Sequence, residues 1–150
     1  MRQSRRSLLG SVCALLAAGF LPVRRAESAY PQASVHMSRS CGCCGEWVKH
    51  MRANGFEVQA QYVDDVVPVK RRLGVPEALW SCHTGLVGGY AIEGHVPAAD
   101  IRRLLRERPQ ATGLAVPGMP AGAPGMEQGA AQPYSTIVFD AQGSRVFARH

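Results

Sequence analysis

Ser34-Val35-His36-Met37-Ser38-Arg39-Ser40-Cys41-Gly42-Cys43-Cys44-Gly45-Glu46-Trp47-Val48-Lys49-His50-Met51-Arg52-Ala53-Asn54-Gly55 is the stretch that decides the fold. Ser34 to Ser38 is short and alternates as a strand does. The glycine-flanked cysteines then lead into a helix over Glu46 to Asn54, with Trp47, Val48 and Met51 on one face and Gly55 as its stop. Downstream, Phe56 to Val63 alternates with period two, and Asp64-Asp65 caps a helix running from about Val66 to Leu73. Thr84 to Val87 and Tyr90 to Ile92 flank Gly88-Gly89 as the two arms of a hairpin. Pro97 opens a helix whose Ile101, Leu104 and Leu105 form an apolar stripe.

The order is therefore β-α-β-α-β-β-α. Helices on a small mixed sheet, with cysteines at the start of the first helix, make an α/β (α+β) arrangement of the thioredoxin-like type. The whole chain has 150 residues, enough for one such core and no more. Pro109 to Pro133 departs from the pattern: it holds five Gly and five Pro with Glu127 as its one charge, a composition that does not fold alone. Strands are nonetheless expected after it, at Thr136 to Phe139 and Arg145 to Ala148, joined by a turn at Ala141-Gln142-Gly143. A loop held between ordered elements, with Met119 and Met126 in the near-repeat Gly118-Met119-Pro120 and Gly125-Met126-Glu127, suits closure over a bound metal.

Seventeen Lys and Arg against eleven Asp and Glu give a net charge of +6, which raises nucleic acid or an anionic membrane as partners. The distribution removes both. Residues 1–29 carry +4 through Arg2, Arg5, Arg6, Arg24 and Arg25 against Glu27, leaving the rest near neutral. That segment is basic, then apolar from Leu8 to Val23, then small at Ala26 to Ala29, and reads as a cleaved export signal with Cys13 discarded inside it. Ser4-Arg5-Arg6-Ser7-Leu8-Leu9 resembles a twin-arginine signal. The apolar run is shorter than the ~20 residues a spanning helix needs, so no membrane attachment is expected once it is removed. Arg102, Arg103, Arg106 and Arg108 are interleaved with acids and lack aromatic neighbours, so they read as a solvated helix face.

Export leaves four cysteines: Cys41, Cys43, Cys44 and Cys82. A disulfide framework spreads its cysteines, whereas three of these lie within four residues, so the spacing points to chemistry. Cys41 and Cys44 have the spacing of a redox-active dithiol at a helix start, where free amides and the dipole favour thiolates. Cys43 adds a third sulfur that a dithiol shuttle does not need and a thiolate metal cluster does. Cys82-His83 stands just before a strand, where a thioredoxin-like fold presents a loop to the dithiol. Thiolates and thioethers select Cu(I) while imidazole tolerates Cu(II), so Cys41, Cys43, Cys44, Cys82, His83, Met119 and Met126 suit copper better than zinc. Met37 and Met51 belong to a strand and an apolar helix face; His95, beside Gly94 at the start of a helix, has three readings, as a cap, a solvent-facing ring or a ligand.

Cys41-Gly42-Cys43-Cys44-Gly45, Ser81-Cys82-His83-Thr84, Glu93-Gly94-His95-Val96-Pro97, Gly118-Met119-Pro120 and Pro124-Gly125-Met126-Glu127 together resemble the CopG family of bacterial copper-resistance proteins. The resemblance runs from about Val35 to His150. It implies a periplasmic thioredoxin-like domain with a C-terminal extension, copper in a cysteine-bridged cluster beside the C-x-C-C motif, and interconversion of Cu(I) and Cu(II) in detoxification and efflux. The resulting division is an export signal at 1–29, a thioredoxin-like metal-binding domain at 30–108, and an extension at 109–150 that contributes to the metal site. The expected partners are copper ions, a copper efflux system and a periplasmic electron partner, with the chain monomeric.

Ordinary thioredoxins face their dithiol with a cis-proline. Here no proline lies between Pro76 and Pro97, which weakens a peptide-binding reading. Three functions stay open at this point: a copper-binding redox protein or copper oxidoreductase, a thiol-disulfide oxidoreductase with Cys41 attacking and Cys44 resolving, and a small zinc-binding module.

Overall fold

The computed structural model describes residues 29–150; the export-signal reading, apart from Ala29, lies outside the described residues. The chain runs β1 (Ala33–Met37), α1 (Gly42–Ala53), β2 (Val58–Tyr62), α2 (Val67–Arg72), a 3-10 turn (Glu77–Leu79), β3 (His83–Val87), β4 (Tyr90–Gly94), α3 (Ala98–Glu107), β5 (Gly113–Val116), β6 (Ser135–Asp140) and β7 (Gly143–Arg149). One sheet takes all seven strands in the order β2-β1-β3-β4-β5-β6-β7. β1 and β2 are parallel across α1, β4 and β5 are parallel across α3, and the remaining neighbours are antiparallel. Two parallel crossovers on a mixed sheet make the fold thioredoxin-like, as the element order predicts.

The periodicities place the layers. In α1, Cys44, Trp47, Val48 and Met51 recur at three and four residues and are buried; in α3, Ala98, Ile101 and Leu104 do the same. Both faces pack with Val35, Met37, Val87, Ile92 and Leu114 into one core. Val75 and Leu79 cover Ala91, Ala115 and Phe139 as a smaller second cluster. Gly88 and Gly89, at φ 57° and 92°, give the twist a two-residue hairpin needs and fix the β3–β4 register, with Val87 opposite Tyr90 and Thr84 opposite Glu93.

Two differences from the sequence expectation matter. The first helix begins at Gly42, so Cys43 and Cys44 form its first turn and Cys41 is its N-cap. The Gly/Pro-rich stretch also contains a strand: Gly113, Leu114, Ala115 and Val116 are all buried beside β4. A strand covered on both faces is continuously apolar and shows no alternation, so periodicity misses it.

The N-cap of α2 is Val66 rather than an aspartate; Asp65, one residue earlier, accepts the Val67 N–H at 2.8 Å. Arg102 donates to Asn54 Oδ1, and Arg103 pairs with Glu107 and lies over the Phe147 ring, so these arginines serve the fold's own surface. Among the described residues no helix is long and apolar enough to cross a membrane.

His50 caps α3 from α1: its Nε2 accepts the Ala98 N–H at 3.1 Å, which requires a neutral ring. Burial lowers its pKa from 6.5, with the nearby Glu127 opposing and Arg102 assisting. The folded value lies below the unfolded one, so the cap is at full strength above pH 6.5 and is lost as pH falls through the folded value. His50→Leu is expected to cost about 0.5–2 kcal/mol near neutral pH. It should also lessen the drop in stability towards about pH 5, with urea unfolding at the two pH values as the measure.

Candidate metal centre

The first turn of α1 and the strand ends beside it converge. Cys41 and Cys44 are joined as a disulfide, while Cys43 and Cys82 are free and half-buried. Cys43 Sγ lies 3.5 Å from Cys41 Sγ and 3.9 Å from Cys82 Sγ, and Cys44 Sγ lies 3.8 Å from the Cys82 carbonyl oxygen. The four sulfurs are all within 4.8 Å of one another. Residues 39 positions apart in sequence, Cys43 and Cys82, thus share one site, as expected from placing Cys82 just before a strand that pairs with β1.

A second group shares Cys82 with His83 and His95, again within 4.8 Å. His83 Nδ1 is 3.3 Å and His95 Nε2 is 3.1 Å from Cys82 Sγ. Both imidazoles are fully buried, His83 against the Trp47 ring and edge-on to His95. The His95 Nδ1–H donates to the Pro124 carbonyl at 2.8 Å, which leaves the Nε2 lone pair directed at Cys82. His83 Nε2 has no hydrogen-bond partner of good geometry.

Electrostatics keep this site uncharged. Burial, then the neighbouring Cys43, pushes the Cys82 thiol up to about 12. Burial, with His95 and Lys70 nearby, holds His83 well below the usual histidine range. Burial lowers His95 too, against the opposing pull of the Pro124 carbonyl and Glu127. Two neutral imidazoles and a protonated thiol are a poor anion or phosphate site. They are suited to a soft cation, the binding of which would release the Cys82 proton.

The two methionines divide. Met126 lines a cavity of about 340 Å³ together with Gly42, Cys43, Glu46, Gly125 and Gln128, beside the free Cys43 thiol. Met119 is 54% exposed, next to Gly118, whose carbonyl accepts the Ser81 hydroxyl. His95, for which the sequence left a cap, a solvent-facing ring and a ligand open, is buried and joins the group that could hold a metal ion. Its signal was the hairpin: continuing the register of Thr84 opposite Glu93 by two residues sets Cys82 opposite His95.

A family described as "Protein of unknown function, DUF411" matches residues 79–126, the span that holds Cys82, His83, His95 and both methionines. No curated protein sequence matches the chain. Two solved structures, titled "Copper resistance protein copG- Form 2" and "Copper resistance protein copG- Form 1", each share 47% identity with it at a TM-score of 0.76. Each alignment covers 81% of this chain and 98% of the other. With identity at that level over nearly the full length of the solved proteins, and a C-x-C-C motif folded into a sulfur cluster, this chain belongs to the CopG family of copper resistance proteins.

Proposed function

We propose that the protein binds copper as its cargo in the periplasm, after export, and interconverts Cu(I) and Cu(II) as part of copper resistance. The observation that carries this is the convergence on Cys82 of a four-cysteine cluster and two neutral imidazoles. Cys41, Cys43, Cys44 and Cys82 supply the soft donors that favour Cu(I). His83 and His95 add nitrogen donors that the oxidised ion accepts, so one site serves both states. Met126, and Met119 from the same loop, supply thioethers for Cu(I). Opening the Cys41–Cys44 disulfide takes up two electrons and two protons and frees two of the four thiols; closing it returns them. A copper efflux system is the fitting recipient of the cargo, and a periplasmic redox protein the fitting electron partner.

The test is anaerobic titration of the reduced protein with Cu(I). Two or more copper ions per chain are expected, with most binding lost in Cys43→Ser. A single ion held equally well without the Cys43 sulfur overturns the cluster. The Cys41–Cys44 disulfide favours one second reading, thiol-disulfide exchange on other proteins. It requires disulfide reductase turnover that persists without metal and in Cys82→Ser.

A further inference from the structure

Behind the cluster lies a buried ion pair that the copper chemistry does not use. Lys70, on α2, is 2% exposed, and Glu93, on β4, is fully buried. Lys70 Nζ meets Glu93 Oε1 at 2.5 Å and donates to Thr84 Oγ1 at 3.0 Å, while the Thr84 hydroxyl donates to Glu93 Oε2 at 2.7 Å. Burying two charges is expensive, and apolar residues of similar volume often serve stability as well. What an apolar pair cannot supply is an acceptor for a backbone amide. Glu93 Oε1 also takes the Ser81 N–H at 2.6 Å, immediately before Cys82 and just ahead of the β3 ladder. On its other side Ser81 donates its hydroxyl to the Gly118 carbonyl, tying the same point to the tail loop.

We propose that the Glu93 carboxylate, neutralised by Lys70, is the positioning residue of the Cys82 arm: it holds the Ser81 amide and thereby sets the Cys82 sulfur against Cys43 and His95. This rests on the copper reading only for what the arm is for; the positioning itself is a property of the metal-free protein. Lys70 makes the device workable, because a buried carboxylate without a cation takes up a proton and weakens as an acceptor.

Two paired substitutions separate the acceptor from the charges. Lys70→Met with Glu93→Gln removes both charges and keeps an oxygen for the Ser81 amide. Lys70→Met with Glu93→Leu removes the oxygen as well. The measurement is the alkylation rate of Cys82 in the metal-free protein, resolved from Cys43 by peptide mass spectrometry. The Gln pair should alkylate Cys82 at the parental rate, and the Leu pair about tenfold faster, the effect of losing a buried hydrogen bond on local opening, with Cys43 unchanged in both. A parental rate in the Leu pair overturns the proposal, as does a Cys43 rate that rises in step or a Gln pair as fast as the Leu pair. Should the Leu pair fail to fold, hydrogen exchange on the unaltered protein decides: a Ser81 amide protected like the β3 ladder supports the proposal, and one exchanging like an open loop overturns it. Neither readout involves copper, so a protein that failed to bind copper would end the functional proposal and leave this one standing.

Discussion

Cys82→Ala is expected to lower copper affinity at least about 100-fold, beyond the 10–100-fold that follows from disturbing residues which merely support metal ligands. The reason is that Cys82 belongs to both donor groups. Its sulfur is 3.9 Å from Cys43 and lies within about one hydrogen-bond length of His83 Nδ1 and His95 Nε2, so removing it breaks the thiolate set and the histidine set together. Loss of Met126 touches one wall of one cavity and is expected to matter far less. Competition with a Cu(I) chelator measures the change. An affinity unchanged in Cys82→Ala contradicts the shared site. Its fold should survive, because the alanine leaves the β3 backbone and the Ser81 amide bond untouched.

Gly125→Ala is expected to detach the tail loop from α1. At φ 85° an L-residue is strained, and its Cβ would lie 2.7 Å from the Trp47 nitrogen and 2.9 Å from the Cys43 carbonyl oxygen, both backbone atoms that cannot swing aside. Keeping the loop docked would cost about 2–5 kcal/mol from these two sources, more than a surface loop retains, so the loop lifts. With it go the Pro124 carbonyl that orients His95 and the Met126 wall beside Cys43. Copper affinity should fall about 10–100-fold. Gly129→Ala is the control: its φ is 90° but nothing lies within 4 Å of the added carbon, so only the conformational cost of about 1–2 kcal/mol remains. Equal copper affinities in the two variants would contradict a docked loop.

Much of this site was legible in the chain. The apolar spacing of Trp47, Val48 and Met51 gave α1 from Glu46 onward, with the cysteines before it, whereas its start at Gly42, which takes Cys43 and Cys44 into the first turn, lies outside that spacing. Cys82 was placed because it precedes a strand, and the structure brings it to the other three sulfurs. For His95 the sequence left the ligand reading open beside two others, and the Gly88-Gly89 turn with the register it imposes is the feature that selects among them. Three features could not be read. β5 hid because a strand with both faces covered has no period. Lys70 and Glu93 gave no signal of burial, since nothing local marks a lysine or a glutamate as buried; only the fold brings the two together inside. Met119 and Met126 stand in near-identical tripeptides, and the sequence alone does not tell which turns to the cavity.

The stretch bearing both methionines leaves the sheet at the end of β5 and returns at β6, and those two strands are immediate neighbours. Its ends are therefore held together by the ladder whatever its length, and the entropy of closing it changes only slowly as residues are added or removed. Chain closure therefore does not fix the length between Val116 and Ser135; what fixes the segment's place is its own seating, the Pro124 carbonyl on His95, Gly125 against α1 and Gly118 on Ser81.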